Sequence, residues 1–252
     1  MESQRTGKNQ QLGTDHREVE WQFDVPDVRP VRRWLEAHIL SGDTSITVGE
    51  TKELTDTYFD TRDWRLYRAG YALRVRQGDR SVEATMKSLA SSTGAPPGVR
   101  DRRELSEPVE GAKPEALVQA PGTVGERLRA LTGPRTLRPI FEIQTRRRLY
   151  ELALDGASTG VLALDETTIP PLKKGEEPVC LQRVEVELAD GVALSGFESF
   201  VEELRAECQL SPAATSKYEA ALLACGLAPP GPPEFGPTSV DASKSVGEWP
   251  SP

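Results

Sequence analysis

Charged side chains recur two residues apart at several places in this chain: Glu18-Val19-Glu20, Arg74-Val75-Arg76 and Glu185-Val186-Glu187. Successive side chains on a strand point to opposite faces, so each pair shares one face. Glu83, Thr85 and Lys87 form a similar set, as do Arg102 and Glu104. Taken singly, such a set is the ordinary outer face of an antiparallel sheet. Sets of both signs on several strands suit a closed barrel, which alternates interior and exterior positions and can gather same-face charges around one polar cavity.

From Arg17 to Gly226 the chain reads as a meander of strands interrupted by helices. Apolar alternation predicts strands over 17–25, 45–48, 54–61, 71–77, 81–88, 99–106, 139–154, 161–169 and 179–189. Helical spacing predicts helices over 31–40, 114–131, 194–208 and 213–225, the last capped by Gly226, with a helical turn over 63–68 closed by Gly70. Residues 1–15 are polar, and seven of the 20 prolines lie beyond Leu227, at 229, 230, 232, 233, 237, 250 and 252. So few apolar groups do not offset ordering entropy. One domain over 16–227 with disordered tails at 1–15 and 228–252 is the expectation.

The formal net charge is -8, so binding to nucleic acid or to an acidic membrane surface is not expected and any anion site must be local. Cys180, Cys208 and Cys225 have neither the even number of a disulfide framework nor the spacing of a zinc site. No apolar run suits a signal peptide or a membrane span, and a cytoplasmic location is the default expectation. With 2 histidines, no Gly-rich Lys-Ser/Thr loop and no Gly-x-Ser-x-Gly elbow, most familiar routes to hydrolysis are missing.

Acid and base gathered on shared faces would suit a metal-bound polyphosphate. Arginine forks match phosphate oxygens in a bidentate way, and carboxylates together with water and phosphate are what Mg²⁺ prefers. The most specific stretch is Tyr58-Phe59-Asp60-Thr61-Arg62-Asp63-Trp64-Arg65-Leu66, followed by Gly70 and Leu73-Arg74-Val75-Arg76. It resembles, almost position for position, a string typical of the CYTH family. That family comprises triphosphate tunnel metalloenzymes, among them thiamine triphosphatases, inorganic triphosphatases and class IV adenylate cyclases. Tyr58, Phe59, Leu66 and Gly70 are read as packing and turn residues, and Arg62 as lying outside the tunnel.

The resemblance spans roughly Glu18 to Tyr218 and implies an α+β fold, an eight-stranded antiparallel β-barrel with peripheral and closing helices, whose tunnel holds a tri- or polyphosphate. It implies metal ligands at Glu18, Glu20, Asp165, Glu185 and Glu187, with Mg²⁺ or Mn²⁺ as cofactor. Thr85-Met86-Lys87 resembles a phosphate-contacting Thr-x-Lys, Arg102-Arg103-Glu104 an Arg-x-Glu strand, and Ser216-Lys217-Tyr218 the helix that closes the tunnel. Phosphate contacts are then expected from Arg74, Arg76, Lys87, Arg102, Arg147 and Lys217, with Lys87, Arg102 and Lys217 taken as the catalytic cations. In the run Arg146-Arg147-Arg148 a one-residue slip turns a different arginine inward; Arg147 is preferred, with Arg146 as the alternative.

One position departs from the family pattern. The opening Glu-x-Glu-x-Lys reads Glu18-Val19-Glu20-Trp21-Gln22 here, so a neutral amide stands where a lysine faces the substrate. Three functions follow as expectations: metal-dependent hydrolysis of a triphosphate, a non-catalytic module that binds polyphosphate or a nucleotide, and cyclisation of ATP. Some family members continue into a His-rich CHAD domain; with 2 histidines and a short Pro-rich stretch after Gly226, any such partner is expected to be a separate protein.

Overall fold

The computed structural model describes residues 13–39, 44–78, 81–90, 96–154, 157–173 and 175–231. Eight long strands are antiparallel: β1 (Thr14–Asp24), β2 (Thr44–Thr61), β3 (Tyr71–Gln77), β4 (Val82–Ser88), β5 (Val99–Pro108), β6 (Leu137–Leu154), β7 (Ala157–Ile169) and β8 (Val179–Leu188). They pair in the order β5-β4-β3-β2-β6-β7-β8-β1, and β1 also pairs with β5, which closes the barrel. A two-residue strand β9 (Ser211–Pro212) adds to β1. The helices are α1 (Val28–Ala37), α2 (Arg65–Arg68), α3 (Pro114–Gln119), α4 (Thr123–Thr132), α5 (Glu198–Glu207) and α6 (Lys217–Ala224). The α+β class and the eight-stranded barrel expected from the sequence are both present.

The strand alternation is turned inside out relative to a sheet with one wet face. Trp21 and Phe23 of β1 and Val184 and Val186 of β8 point outward, where Val31 and Leu35 of α1 and Val201 and Leu204 of α5 cover them. The opposite wall packs Leu73, Val75, Met86 and Leu105 against Leu66, Leu117 and Leu128 of α2, α3 and α4. Each such side chain contributes about 1.5–3 kcal/mol on burial, so the helices are bound to the barrel exterior by apolar area. A third cluster joins Tyr58, Phe141, Ile143 and Ile169 to Tyr218, Ala221 and Leu222, and it seats α6 across one end of the barrel. The inner faces around the first cavity are left mainly to polar groups.

Several boundaries differ from the sequence expectation. β2 is one strand, with a register slip between Val48 and Thr51. Gly49 sits in that bulge, where a Cβ would lie 3.1 Å from the Leu149 carbonyl oxygen, and the bulge lets pairing resume on both sides. The helix expected over 114–131 is two helices, broken at Pro121-Gly122. Gly122 at the start of α4 has no side chain to cap it; Glu107 of β5 does so instead, accepting from the Val124 and Gly125 amides at 3.2 and 3.1 Å. A single 3₁₀ turn over 194–196 precedes α5.

α6 begins only at Lys217, because Ser216 and Glu219 form a reciprocal capping box that fixes the helix start. Gly226 follows its C-terminus with φ +62°, as the cap reading expects. Thr14 and Asp15 belong to β1, paired with Ser106 and Leu105, which corrects the tail predicted over 1–15. Residues 1–12 and 232–252 of the predicted tails lie outside the described residues, and 228–231 have no regular secondary structure. Cys180, Cys208 and Cys225 are free thiols. Among the described residues no helix is long and apolar enough to cross a membrane.

Candidate active site

The inner faces of the strands and the start of α6 enclose a cavity of about 200 Å³. Six cations line it, Arg74, Arg76, Lys87, Arg102, Arg147 and Lys217, together with six carboxylates, Glu18, Glu20, Glu83, Glu104, Glu185 and Glu187. Strand register brings them together. On the β1–β8 ladder Glu20 stands opposite Glu187 and Gln22 opposite Glu185; across β1–β5 Glu18 stands opposite Arg102, and across β4–β5 Lys87 opposite Glu104. β6 and β7 pair Arg147 with Asp165.

The charges are interlocked. Lys87 Nζ donates to Glu18 at 2.5 Å and lies 2.7 Å from Glu104, and Arg102 donates to Glu20 at 2.9 Å. Arg147 forks onto Asp165 at 2.8 and 2.6 Å and reaches Glu185 at 2.5 Å; Lys217 bonds the same two carboxylates at 2.5 and 2.6 Å. Burial opposes the charge on Lys87, but Glu18 and Glu104 outweigh it and raise the pKa. Burial likewise works against the Glu104 carboxylate, yet Lys87 and Arg74 hold it at about 2. Glu185 is held well below the usual range, Lys217 and Arg147 more than offsetting its burial.

Burial and the charge of Glu18 raise the Glu187 carboxyl, and Glu20 is raised as well. Its burial, with the neighbouring charges of Glu18 and Glu185, pushes its carboxyl up to about 8. Gln22 touches the same group: its Nε2 donates to Glu20 at 2.7 Å and to Glu185 at 3.5 Å, and its Oε1 is buried with no hydrogen-bond partner. The amide thus bridges two carboxylates without neutralising either. Among the cations Arg74 is the least engaged: its side chain makes no hydrogen bond among the described residues, and Asp56 is 3.9 Å away.

All the residues expected in the tunnel point into the barrel except Arg146. The structure turns Arg147 inward, its side chain 16% exposed, and Arg146 outward, 65% exposed and 3.6 Å from Glu53 on the outer face. The alternation leaves no other outcome once Arg147 pairs with Asp165. Asp165 is fully buried behind Arg147 and Lys217, whereas Glu187 is exposed at the cavity margin. Thr85 is buried and shares a 3.0 Å hydrogen bond with Ser106, one strand away from Arg74.

Two interior residues escaped the sequence reading. Asp56, 1% exposed, accepts from Arg76 through two 2.7 Å bonds. The available signal was its place two residues before Tyr58 on the same strand. Arg183, fully buried on the inner face of β8, bonds Asp24 at 3.0 and 2.8 Å and leaves Nη1 without a partner. Its signal was its place two residues before Glu185.

A divalent ion can be tested against this arrangement. Among the described residues no three His, Cys, Asp or Glu side chains form a ready-made metal site, since Glu18, Glu104, Asp165 and Glu185 hold lysines and arginines instead. The donor chemistry nevertheless fits a hard cation. Glu18 Oε2, 3.6 Å from Arg102, and Gln22 Oε1 are buried oxygens without hydrogen-bond partners, and Glu20 is repelled by two other carboxylates. Six cations against six carboxylates also leave no surplus positive charge, so a polyanion entering the cavity needs a cation with it.

An inward-facing ring of arginines, lysines and glutamates in an eight-stranded antiparallel barrel defines a triphosphate-tunnel fold. The CYTH domain pattern matches residues 16–220, and the chain belongs to the CYTH family, which consists largely of triphosphatases. Its structure is similar to that of a Hippeastrum protein described as an adenylyl cyclase candidate with a dominant triphosphatase activity. The two share 18% identity over 84% of this chain and 97% of that one, with a TM-score of 0.62. A candidate adenylate cyclase from Bacillus halodurans is 21% identical over 82% of this chain and 97% of that one, with a TM-score of 0.52. At such identities the likeness is one of fold. No curated protein matches the chain significantly in sequence.

Proposed function

We propose that the barrel binds a triphosphate and hydrolyses it with the aid of a divalent metal. The observation that carries this reading is the ring of six cations, each within reach of a carboxylate, around a cavity of about 200 Å³. Arg74, Arg76 and Arg147 take phosphate oxygens as forks, and Lys87, Arg102 and Lys217 hold the charge that develops on the reacting phosphate. Phosphoryl transfer asks mainly for positioning and electrostatics, so no Ser, Cys or His nucleophile is needed. Glu18 and Glu20, with the late pair Glu185 and Glu187 and with Asp165, are the residues to hold Mg²⁺ or Mn²⁺. The ion supplies neutralisation of phosphate charge when bound.

Ligand binding would exchange partners: phosphate oxygens would replace carboxylates on the lysines and arginines, which would leave Glu18, Glu20 and Glu185 free to hold the metal. Arg74 is poised to make the first contact because its guanidinium is held only by a long ion pair, 3.9 Å from Asp56. Gln22 favours a second reading, a binding module with lost turnover, because it places an amide where the family pattern has a lysine. Metal-dependent release of phosphate from tripolyphosphate decides between them: release supports the hydrolase, and tight binding with no release under either metal supports the module. With ATP, a cyclic product in place of ADP and phosphate would overturn both.

A further inference from the structure

Because Arg147 points into the tunnel, its neighbours Arg146 and Arg148 stand on the outer wall of the barrel, beside α1. Arg29 and Arg32 of α1, Arg146 and Arg148 of β6, Thr51 of β2 and Glu166 of β7 line a cleft of about 80 Å³ there. The buried side chains of Val28 and Leu164 complete its lining. Strand register sets the wall: Arg146 stands opposite Glu166 on β7, and Arg148 opposite Leu164 on β7 and Thr51 on β2. In a chain of net charge -8, a cleft with four arginines to one carboxylate is a local concentration of the opposite sign.

Three of these arginines are loosely held. Arg146 is 3.6 Å from Glu53, Arg32 is 3.7 Å from Glu36 and Arg148 is 3.9 Å from the same Glu36, all longer than a hydrogen bond. Glu36 and Glu53 are exposed, and ion pairs of that kind contribute little, so an anion that displaces them gives up little. Arg29 is the firmly paired one, its Nε 2.7 and 2.9 Å from the two oxygens of Asp27. Two donors also lack an acceptor. Arg148 Nε is buried without a hydrogen-bond partner, and so is the hydroxyl of Tyr150, whose ring centroid lies 5.7 Å from the Arg148 guanidinium. Buried polar atoms are nearly always paired with protein, water or an ion, so an unpaired Arg148 Nε in a cleft of arginines marks the place of an acceptor.

We propose that this cleft is a binding site for orthophosphate on the outer wall of the barrel, separate from the tunnel. At about 80 Å³, against about 200 Å³ for the tunnel cavity, it has room for one tetrahedral oxyanion and not for a chain of three. Arg32, Arg146 and Arg148 take the phosphate oxygens in place of Glu36 and Glu53, since guanidinium forks match such oxygens in pairs. Glu166, the one carboxylate of the lining, selects among oxyanions. It accepts from the P–OH group that hydrogen phosphate carries at neutral pH, whereas sulfate has no proton to give and meets a bare negative charge.

Heteronuclear NMR titration of the full chain with orthophosphate in metal-free buffer tests this, with sulfate, methyl phosphate and chloride at matched ionic strength as comparisons. The Nε–H resonances of Arg32 and Arg148 should move saturably with orthophosphate, severalfold more weakly with sulfate and methyl phosphate, and not with chloride. Arg32→Ala with Arg146→Ala, two exposed side chains, should weaken orthophosphate binding at least about tenfold. Arg146→Ala alone serves if the double variant does not fold. Lys87→Ala, in the tunnel, should leave the shifts as they are. Shifts that follow ionic strength alone would overturn the site, as would shifts that Lys87→Ala abolishes and the outer variants keep. Sulfate bound as tightly as orthophosphate would overturn the choice of anion, and methyl phosphate bound as tightly would overturn the free ion in favour of a phosphoryl group on a larger molecule.

Discussion

Asp56→Asn separates the ion-pair energy of the tunnel from its packing, because the amide keeps the shape and removes the charge. Asp56 is buried, holds Arg76 by two 2.7 Å bonds and stands 3.9 Å from Arg74. Burial raises its carboxyl, but Arg74 and Arg76 outweigh burial and bring it from 3.8 down to about 2. A displacement of that size corresponds to about 2 kcal/mol of stability at neutral pH, and removing one partner of a buried pair costs about 3–5 kcal/mol where the other charge is left unpaired. The variant should therefore be less stable by about 2–4 kcal/mol, lowering Tm by roughly 5–12 °C for a domain of this size. A carboxyl whose folded pKa is depressed stabilises the protein above its unfolded value of 3.8 and loses that contribution as pH falls through about 2. Scanning calorimetry of both proteins should show a full Tm gap at neutral pH that narrows as pH falls below about 4. Tripolyphosphate should also stabilise the variant more than the unaltered protein, since Arg74 and Arg76 then have phosphate as their main counter-ion. A gap that is constant down the acid limb, with equal stabilisation of both proteins by tripolyphosphate, would refute the reasoning and trace the loss to packing.

Glu18→Gln with Glu20→Gln should abolish metal-dependent phosphate release without unfolding the domain, because it removes two of the mutually repelling carboxylates; unfolding in circular dichroism, or full metal stimulation, would show that these are not the ligands. Gln22→Lys should tighten tripolyphosphate binding severalfold at low salt, with a smaller gain at high salt, by placing a cation beside Glu20 and Glu185. No change in a calorimetric titration at either salt concentration would sink that idea. Arg147→Ala should weaken tripolyphosphate binding by tenfold or more, on the order of the 1.5–3 kcal/mol of a charged hydrogen bond, whereas Arg146→Ala should leave it unchanged. Equal effects in a fluorescence competition assay would mean that the side chains exchange faces.

Much of the site was legible because strand alternation is a local rule. Glu18, Glu20 and Gln22 share a face whatever the rest of the chain does, as do Arg74 and Arg76, and the family string around Tyr58 fixed which face mattered. The Arg146–Arg148 run was not legible, because adjacent arginines satisfy the alternation in either register. Only the long-range pairing of Arg147 with Asp165 decides it. Asp56 was missed for a related reason: a single carboxylate on a β-rich segment gives no sign of its partners until β2 pairs with β3 and places Arg76 opposite it. The orientation of the alternation was equally non-local. Val184 and Val186 face outward because α1 and α5 cover them, and nothing within β8 itself announces those helices. The breaks at Pro121-Gly122 and before Lys217 depend on caps, one supplied by Glu107 from a distant strand and the other by Ser216.

The central claim is that the charged cavity holds a triphosphate together with a divalent metal, and thermal denaturation with tripolyphosphate tests it most directly. A ligand that binds only the folded state stabilises it by about 2.7 kcal/mol at 100 times its Kd, a readily measured rise in Tm. The rise should be larger when Mg²⁺ or Mn²⁺ is present, and it should shrink in Lys87→Ala and in Arg74→Ala. No rise at millimolar tripolyphosphate with either metal, or a rise that both variants keep in full, would contradict the claim.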